Sequence, residues 1–439
     1  MIPLKRRLRR LRRLPLISPR LWLRRLLYWL GAILVALMAI GFARAADLAQ
    51  DLFQTTMHFS SLLIFPIAPA GLAFSVWLTR TAFPGAQGSG IPQVIAALHM
   101  TDRTAVSATL SWRIAFGKIL LTLLGLACGA SIGREGPTVQ VGASIMHGLG
   151  KLLRLPRIEM EHALILAGGA AGISGAFNTP LAGIVFAIEE LSHSFEARTS
   201  GIVLTAVIIS GIASLALVGN YTYFGVSSSQ LDFGIGWLSV LVCSLVGGLA
   251  GGAFSKLLIS GVSFLPLKLR LFIQQRPIIF AAICGAGIAL IGWLSDGSTY
   301  GTGYEQARLM VEGRDPPLAD YAVLKFLATV ISYLSGIPGG IFAPSLSVGA
   351  GIGQFLAQLL TNAPSGAVVL LAMVAYFSGV VQAPITATVI VMEMTDNQSM
   401  TIPLMATSML AFGVSRLVCR RPLYGTLARR FLVSVERRY

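Results

Sequence analysis

The sequence predicts an all-α polytopic membrane protein, and three observations carry that expectation. The chain is 55% hydrophobic and 12% charged, against about 25% charged in ordinary soluble domains, which excludes a soluble or a disordered chain. Its formal charge of +16 is confined to the ends: residues 1–25 hold ten Lys/Arg and no acid, residues 416–439 hold seven Arg and one Glu, and the 390 residues between carry 17 basic and 17 acidic groups. Basic ends around a neutral body suit a chain buried in lipid with both termini cytoplasmic, not a nucleic-acid partner. Finally, apolar segments recur at 26–44, 61–79, 105–130, 162–190, 202–218, 236–255, 278–294, 321–335, 341–360, 366–392 and 402–418, with no long polar domain between them.

In chain order, the 18-residue apolar run 26–43 is close to a full span and longer than the roughly 7–15 residues of a signal core. It is read as an uncleaved first helix, although Ala43-Arg44-Ala45 has the form of a cleavage site. Three glycine-proline stretches follow: G-S-G-I-P at 88–92, G-R-E-G-P at 133–137 and G-I-P-G-G-I-F-A-P at 336–344. Each has the form of a helix start, because Pro is tolerated in a first turn and Gly lets the backbone approach a ligand. Unpaired N–H groups and the positive dipole end make such a start an anion site. Three of them can hold one small anion without a full cation, weakly enough to release it. Gly and Pro inside apolar stretches also predict broken or re-entrant helices lining a cavity.

Charged residues inside the apolar runs come next. Lys118, 17 residues before Glu135, must find a partner or lose its charge. Arg134 either pairs with a carboxylate or raises the local potential. Glu189-Glu190 closes an apolar run, where an acid is a functional hypothesis by default, with a salt-bridged or water-exposed helix end as the alternative. Cys128, Cys243, Cys284 and Cys419 read as buried small hydrophobes. No His/Cys/Asp spacing resembles a metal site, and no cofactor is implied.

The chain also repeats itself. P-T-V-Q-V-G-A-S-I from Pro137 and P-S-L-S-V-G-A-G-I from Pro344 lie 207 residues apart, and the pairs Pro180/Glu189 and Pro384/Glu393 share a spacing of nine at an offset of 204. Two membrane halves, 26–225 and 226–430, are expected between a basic cytoplasmic segment 1–25 and a short tail 431–439. Repeats of this kind place the substrate site near the midplane, among interrupted helices.

G-S-G-I-P, G-R-E-G-P, G-G-I-F-A-P and P-L-Y at 422–424, in that order, resemble the CLC family of chloride channels and chloride/proton antiporters, over about residues 60–430. The resemblance implies the CLC fold: a homodimer with one anion pathway per subunit, each subunit made of two inverted-topology halves. It implies that Ser89 offers its hydroxyl to a central chloride, Tyr424 its phenol from the opposite side, and Ile341 and Phe342 their backbone N–H groups. Glu135 would be the external gate and proton acceptor, Glu190 the internal proton-transfer group, and Glu189 the place where protons enter. These acids favour a secondary active chloride/proton antiporter; the alternative is a passive, proton-gated, voltage-dependent chloride channel. A serine in G-S-G-I-P accompanies chloride-preferring relatives, whereas a proline there accompanies nitrate transporters, and fluoride exporters depart both at this stretch and at the C-terminal tyrosine.

One departure from the family stands out: the Glu that often serves the buried lysine is absent, since positions 93–95 read Gln93, Val94 and Ile95. Lys118 is left to backbone carbonyls or to neutrality. Glu393 and Asp396 read as structural charges at a helix end. The 15 residues after Tyr424 are too few for the nucleotide-binding pair of larger relatives, so nucleotide regulation is not expected and a bacterial inner membrane is the expected location. An organic-anion carrier would want a larger, aromatic or Arg-lined pocket, and an intramembrane enzyme would need a nucleophile motif that is missing.

Overall fold

The computed structural model describes residues 19–152, 158–192, 197–314 and 320–436; most of the basic N-terminal segment and the end of the tail lie outside them. The described residues form α-helices joined by short turns. The first set comprises α1 (Pro19–Phe59), α2 (Ile64–Thr81), α3 (Ile91–His99), α4 (Arg103–Thr109), α5 (Trp112–Ala127), α6 (Glu135–Leu152), α7 (Ile158–Phe177), α8 (Pro180–Phe186) and α9 (Ala197–Val218). After a non-helical stretch at 219–234 come α10 (Leu238–Ser260), α11 (Leu267–Gln275), α12 (Pro277–Leu294), α13 (Tyr304–Glu312), α14 (Tyr321–Leu334) and α15 (Phe342–Leu359). The last are α16 (Ser365–Val381), α17 (Pro384–Met394), α18 (Thr401–Val418) and α19 (Leu423–Glu436). Seven helical stretches among the described residues are long and apolar enough to cross a membrane, and the chain is a multi-pass membrane protein.

The hydropathy pattern and the helices differ in instructive places. The first helix does not stop near residue 44 but runs on through Ala43-Arg44-Ala45 to Phe59. The apolar segment at 105–130 is two helices, with Ser111 capping the second by accepting from the Ile114 N–H. The segments at 162–190 and 366–392 are each broken once, at Asn178 (φ 57°) and Gln382 (φ 60°), both left-handed residues two positions before a proline that opens the next helix. Helix α6 was not foreseen as an apolar segment, because Thr138, Gln140, Ser144 and His147 dilute its hydropathy. All four are nevertheless buried, since this helix is surrounded by protein and its polar groups find partners there.

Helix bounds recur along the chain. α2 and α12 have 18 residues each and start 213 apart; α3 and α13 have nine each at the same offset; α6 and α15 have 18 each at an offset of 207. Small residues set the packing of these rods, as they do wherever lipid removes the hydrophobic drive for helix association. A Cβ on Gly142 or Gly168 would strike the other's carbonyl oxygen, which brings α6 and α7 together. At Gly285 it would lie 2.6 Å from the backbone of Pro69, which does the same for α12 and α2. Helix α16, buried from Ala367 to Val381, occupies the centre.

Gly285→Ala should therefore separate α2 from α12 and lower the thermal midpoint of the detergent-solubilised protein, at a cost of about 1–3 kcal/mol. Gly287→Ala is the control. Its added methyl group would have Ile331 Cδ1 at 3.7 Å as its nearest neighbour, so the midpoint should stay level or rise.

Candidate functional site

The three glycine-proline stretches meet as backbone. Gly133 and Gly340 exchange two N–H···O bonds of 2.6 and 2.7 Å, while Gly88 donates to the Ile337 carbonyl at 3.3 Å and accepts from the Gly339 N–H at 3.1 Å. The starts of α3, α6 and α15 are thereby held in one junction. Gly90, at φ 105°, precedes α3, and a Cβ on it would lie 2.6 Å from the Gly136 carbonyl oxygen. One on Gly136 would lie 2.6 Å from the Ser89 carbonyl oxygen. Side chains at either position would push the Ser89 loop off the start of α6.

Neutral and backbone groups hold this loop. Gln93 accepts from the Gly90 N–H at 3.1 Å and donates to the Gln87 carbonyl at 2.6 Å. Lys118, fully buried in α5, donates to the carbonyls of Gln87 (3.3 Å) and Gly88 (2.9 Å). Where the Glu is absent, the fold provides backbone carbonyls as hydrogen-bond acceptors for Lys118.

Glu135 is the first residue of α6 and is fully buried. Its Oε1 accepts from the Tyr304 hydroxyl at 2.5 Å and its Oε2 from the Ala343 N–H at 3.4 Å. Ile341 and Phe342, the cap and first residue of α15, lie too early in the helix for their N–H groups to find an intrahelical carbonyl. The Phe342 ring is anchored among Phe177, Phe186 and Phe377, at centroid distances of 5.9, 6.2 and 4.4 Å. The hydroxyls of Ser89 and Tyr424 are buried and adjoin each other, yet neither has a hydrogen-bond partner of good geometry among the described residues. Glu190 and Glu135 lie within electrostatic reach of the Tyr424 phenol. The junction thus offers N–H and O–H donors to an anion, with the one carboxylate that could compete for them already inside it.

Arg134 pairs with a carboxylate. It lies 2.7 Å from Asp47, donates to the Ala43 carbonyl at 2.5 Å and to the Tyr223 hydroxyl at 3.0 Å, and sits over the Tyr223 and Tyr304 rings. The bond to Ala43 ties the middle of α1 into the site.

Glu189 and Glu190 part company. Glu190 is 4% exposed, in a π-helical turn over Ala187–Ser192 that continues α8; such turns often mark functional positions. Glu189 accepts from the N–H groups of Ile385 (3.2 Å) and Thr386 (2.6 Å) at the start of α17. Glu393 accepts from those of Leu181 (3.2 Å) and Ala182 (2.7 Å) at the start of α8. The two acids, 204 residues apart, therefore cap each other's partner helix. The fold brings together Ser89, Glu135, Ile341, Phe342 and Tyr424, buries Glu190 within electrostatic reach of Tyr424, and holds Glu189 on α17.

Sequence reasoning missed Tyr304, Lys325, Tyr223 and Asp47. The first two had a signal: Gly301-Thr302-Gly303-Tyr304 echoes Gly88-Ser89-Gly90-Ile91, and Lys325 follows Lys118 by 207 residues, the offset of Pro137 and Pro344. Tyr223 and Asp47 stand in no motif.

The sequence profile of a family described as Voltage gated chloride channel matches residues 71–416. Among solved structures, a slow cyanobacterial Cl−/H+ antiporter superposes with a TM-score of 0.79 at 24% identity, covering 93% of this chain and 97% of that one. A CLC-type fluoride/proton antiporter follows with 0.77 and 24%, covering 91% and 96%. A eukaryotic CLC transporter gives 0.76 and 19%, covering 93% and 74%.

Gly136→Ala should displace the Ser89 loop without unfolding α6. Titration calorimetry with chloride should then show affinity reduced about tenfold or more, the scale of a typical overpacking cost, and unchanged affinity would separate the junction from anion binding.

Proposed function

The chain belongs to the voltage gated chloride channel family, and from that premise we propose that it is a secondary active transporter exchanging chloride for protons. The observation that supports this reading best is the placing of Tyr424, whose phenol has Ser89, Glu135 and Glu190 as neighbours. A second buried acid, Glu190, 4% exposed, thus lies within electrostatic reach of the same buried hydroxyl as the gate.

The mechanism follows from shared donors. As a carboxylate, Glu135 accepts from Ala343 and Tyr304 and occupies the external anion position. Chloride needs donors of the same kind, and two anions do not share them in a low-dielectric site. Protonation removes the charge that holds the side chain there, so it swings out and chloride takes its place. Ser89, Tyr424 and the N–H groups of Ile341 and Phe342 hold the central chloride with partial charges alone, which keeps binding reversible. Glu190 passes protons between the cytoplasmic side and the gate. Glu189 is where they enter, while it also caps α17. The serine at position 89 makes chloride the preferred anion.

The same proposal includes two inverted halves, 26–225 and 226–430, in a homodimer with one pathway per subunit, in an inner membrane with both termini cytoplasmic. The recurring helix bounds and the reciprocal caps of Glu189 and Glu393 support the two halves.

In liposomes, an imposed chloride gradient should drive uphill proton movement. Chloride flux with no proton flux would make the protein a channel and Glu190 structural. Glu190→Gln should keep chloride flux and cut proton flux by about a hundredfold or more, as loss of a proton-transfer group does. Glu135→Ala should keep anion flux and lose coupling; a variant that still moves protons uphill would remove Glu135 from the gate. Ser89→Pro should raise nitrate transport relative to chloride, measured as the ratio of initial rates.

A further inference from the structure

Lys325 is as deeply buried as Lys118, at 0% exposure. It donates to the carbonyls of Thr299 (2.9 Å) and Gly301 (2.8 Å), as Lys118 donates to those of Gln87 and Gly88. Each lysine thereby clamps a loop of the form Gly-(Ser/Thr)-Gly at the start of a nine-residue helix, α3 in one case and α13 in the other. The second glycines match as well: Gly90 has φ 105° and Gly303 φ 81°. A Cβ on Gly90 would meet the Gln140 side chain, and one on Gly303 the Ser347 side chain, residues that again lie 207 apart. Ser347 completes the second loop by donating to the Gly303 carbonyl at 2.9 Å.

The residue after the second glycine distinguishes the copies. In the first it is Ile91, and the loop presents Ser89. In the second it is Tyr304, whose hydroxyl reaches Glu135 Oε1 at 2.5 Å while its ring stacks on Tyr223 with centroids 4.9 Å apart. The phenol and the Ala343 N–H are both donors to Glu135, a set that suits a carboxylate in place and not a neutral acid leaving it.

We infer that the lysine-clamped loop was kept in both halves for two different tasks: the first presents the anion-binding hydroxyl, and the second holds Tyr304 as a latch on the gate carboxylate, with Lys325 as its positioning residue. This inference rests on Glu135 being the gate. A latched carboxylate competes better with chloride, so loosening the latch strengthens apparent chloride binding.

Transport assays in liposomes test this through the chloride concentration at half-maximal rate. Tyr304→Phe keeps the ring and removes the donor, and should lower that concentration about tenfold, the scale of one charge-assisted hydrogen bond. Lys325→Met should shift it the same way, and the double variant should shift no further than Tyr304→Phe alone. Additive shifts would overturn the positioning role, as would an unshifted Lys325→Met that assembles normally. Lys118→Met should instead change the nitrate-to-chloride ratio; a gate-type shift from it would erase the division of tasks. If Lys325→Met does not assemble, Gly303→Ala, which drives a methyl group into Lys325 and Ser347, takes its place with the same expected shift. In a Glu135→Ala background, Tyr304→Phe should have no effect on chloride. A persistent effect there, with coupling lost as expected, overturns the latch and leaves the gate standing, whereas coupling that survives Glu135→Ala overturns the gate reading itself.

Discussion

Everything at this site depends on four backbone hydrogen bonds, two between Gly133 and Gly340 and two joining Gly88 to Ile337 and Gly339. They hold three helix starts close enough for their partial positive charges to act on one small volume. No side chain takes part, and little room exists for one at Gly90 or Gly136. Buried N–H and C=O groups must be paired, and here pairing that need produces the geometry. What the junction leaves without a protein partner among the described residues is two hydroxyls and the N–H groups of Ile341 and Phe342.

Titratable side chains within the fold follow the same economy of partners. Lys118 and Lys325 have backbone carbonyls as hydrogen-bond acceptors, and Glu189 and Glu393 accept from the backbone N–H groups of first turns. A charge in a low-dielectric interior needs hydrogen bonds to persist. Dipoles supply them without placing a counter-ion near the junction. Arg134, next to Glu135 in the chain, is the exception, paired directly with Asp47 and roofed by two tyrosines. Its ties to Ala43 and Asp47 make α1 part of the site.

Much of this was legible in the chain. The three helix starts, the acids at 135 and 190 and the repeat offsets were all readable, because glycine and proline impose their constraints locally. The body of helix α6 beyond its start was not, because hydropathy reports burial in lipid whereas this helix is buried in protein. Tyr304 was missed for a related reason. Its loop shares only the two glycines and a hydroxyl with the Ser89 loop, and a tyrosine after them gives no sign of where its oxygen ends up.

The sequence by itself determined the membrane class and the places where helices begin. These are properties of composition and of one or two neighbouring residues. Tertiary structure alone decided which acid of Glu189-Glu190 caps a helix and which is buried without doing so, which carbonyls the Lys118 side chain reaches, and that the Tyr304 hydroxyl meets Glu135. Each is a matter of distance across the fold: Tyr304 and Glu135 are 169 residues apart in the chain and 2.5 Å apart in space. No local pattern encodes that approach, because it is the sum of every helix packing between them.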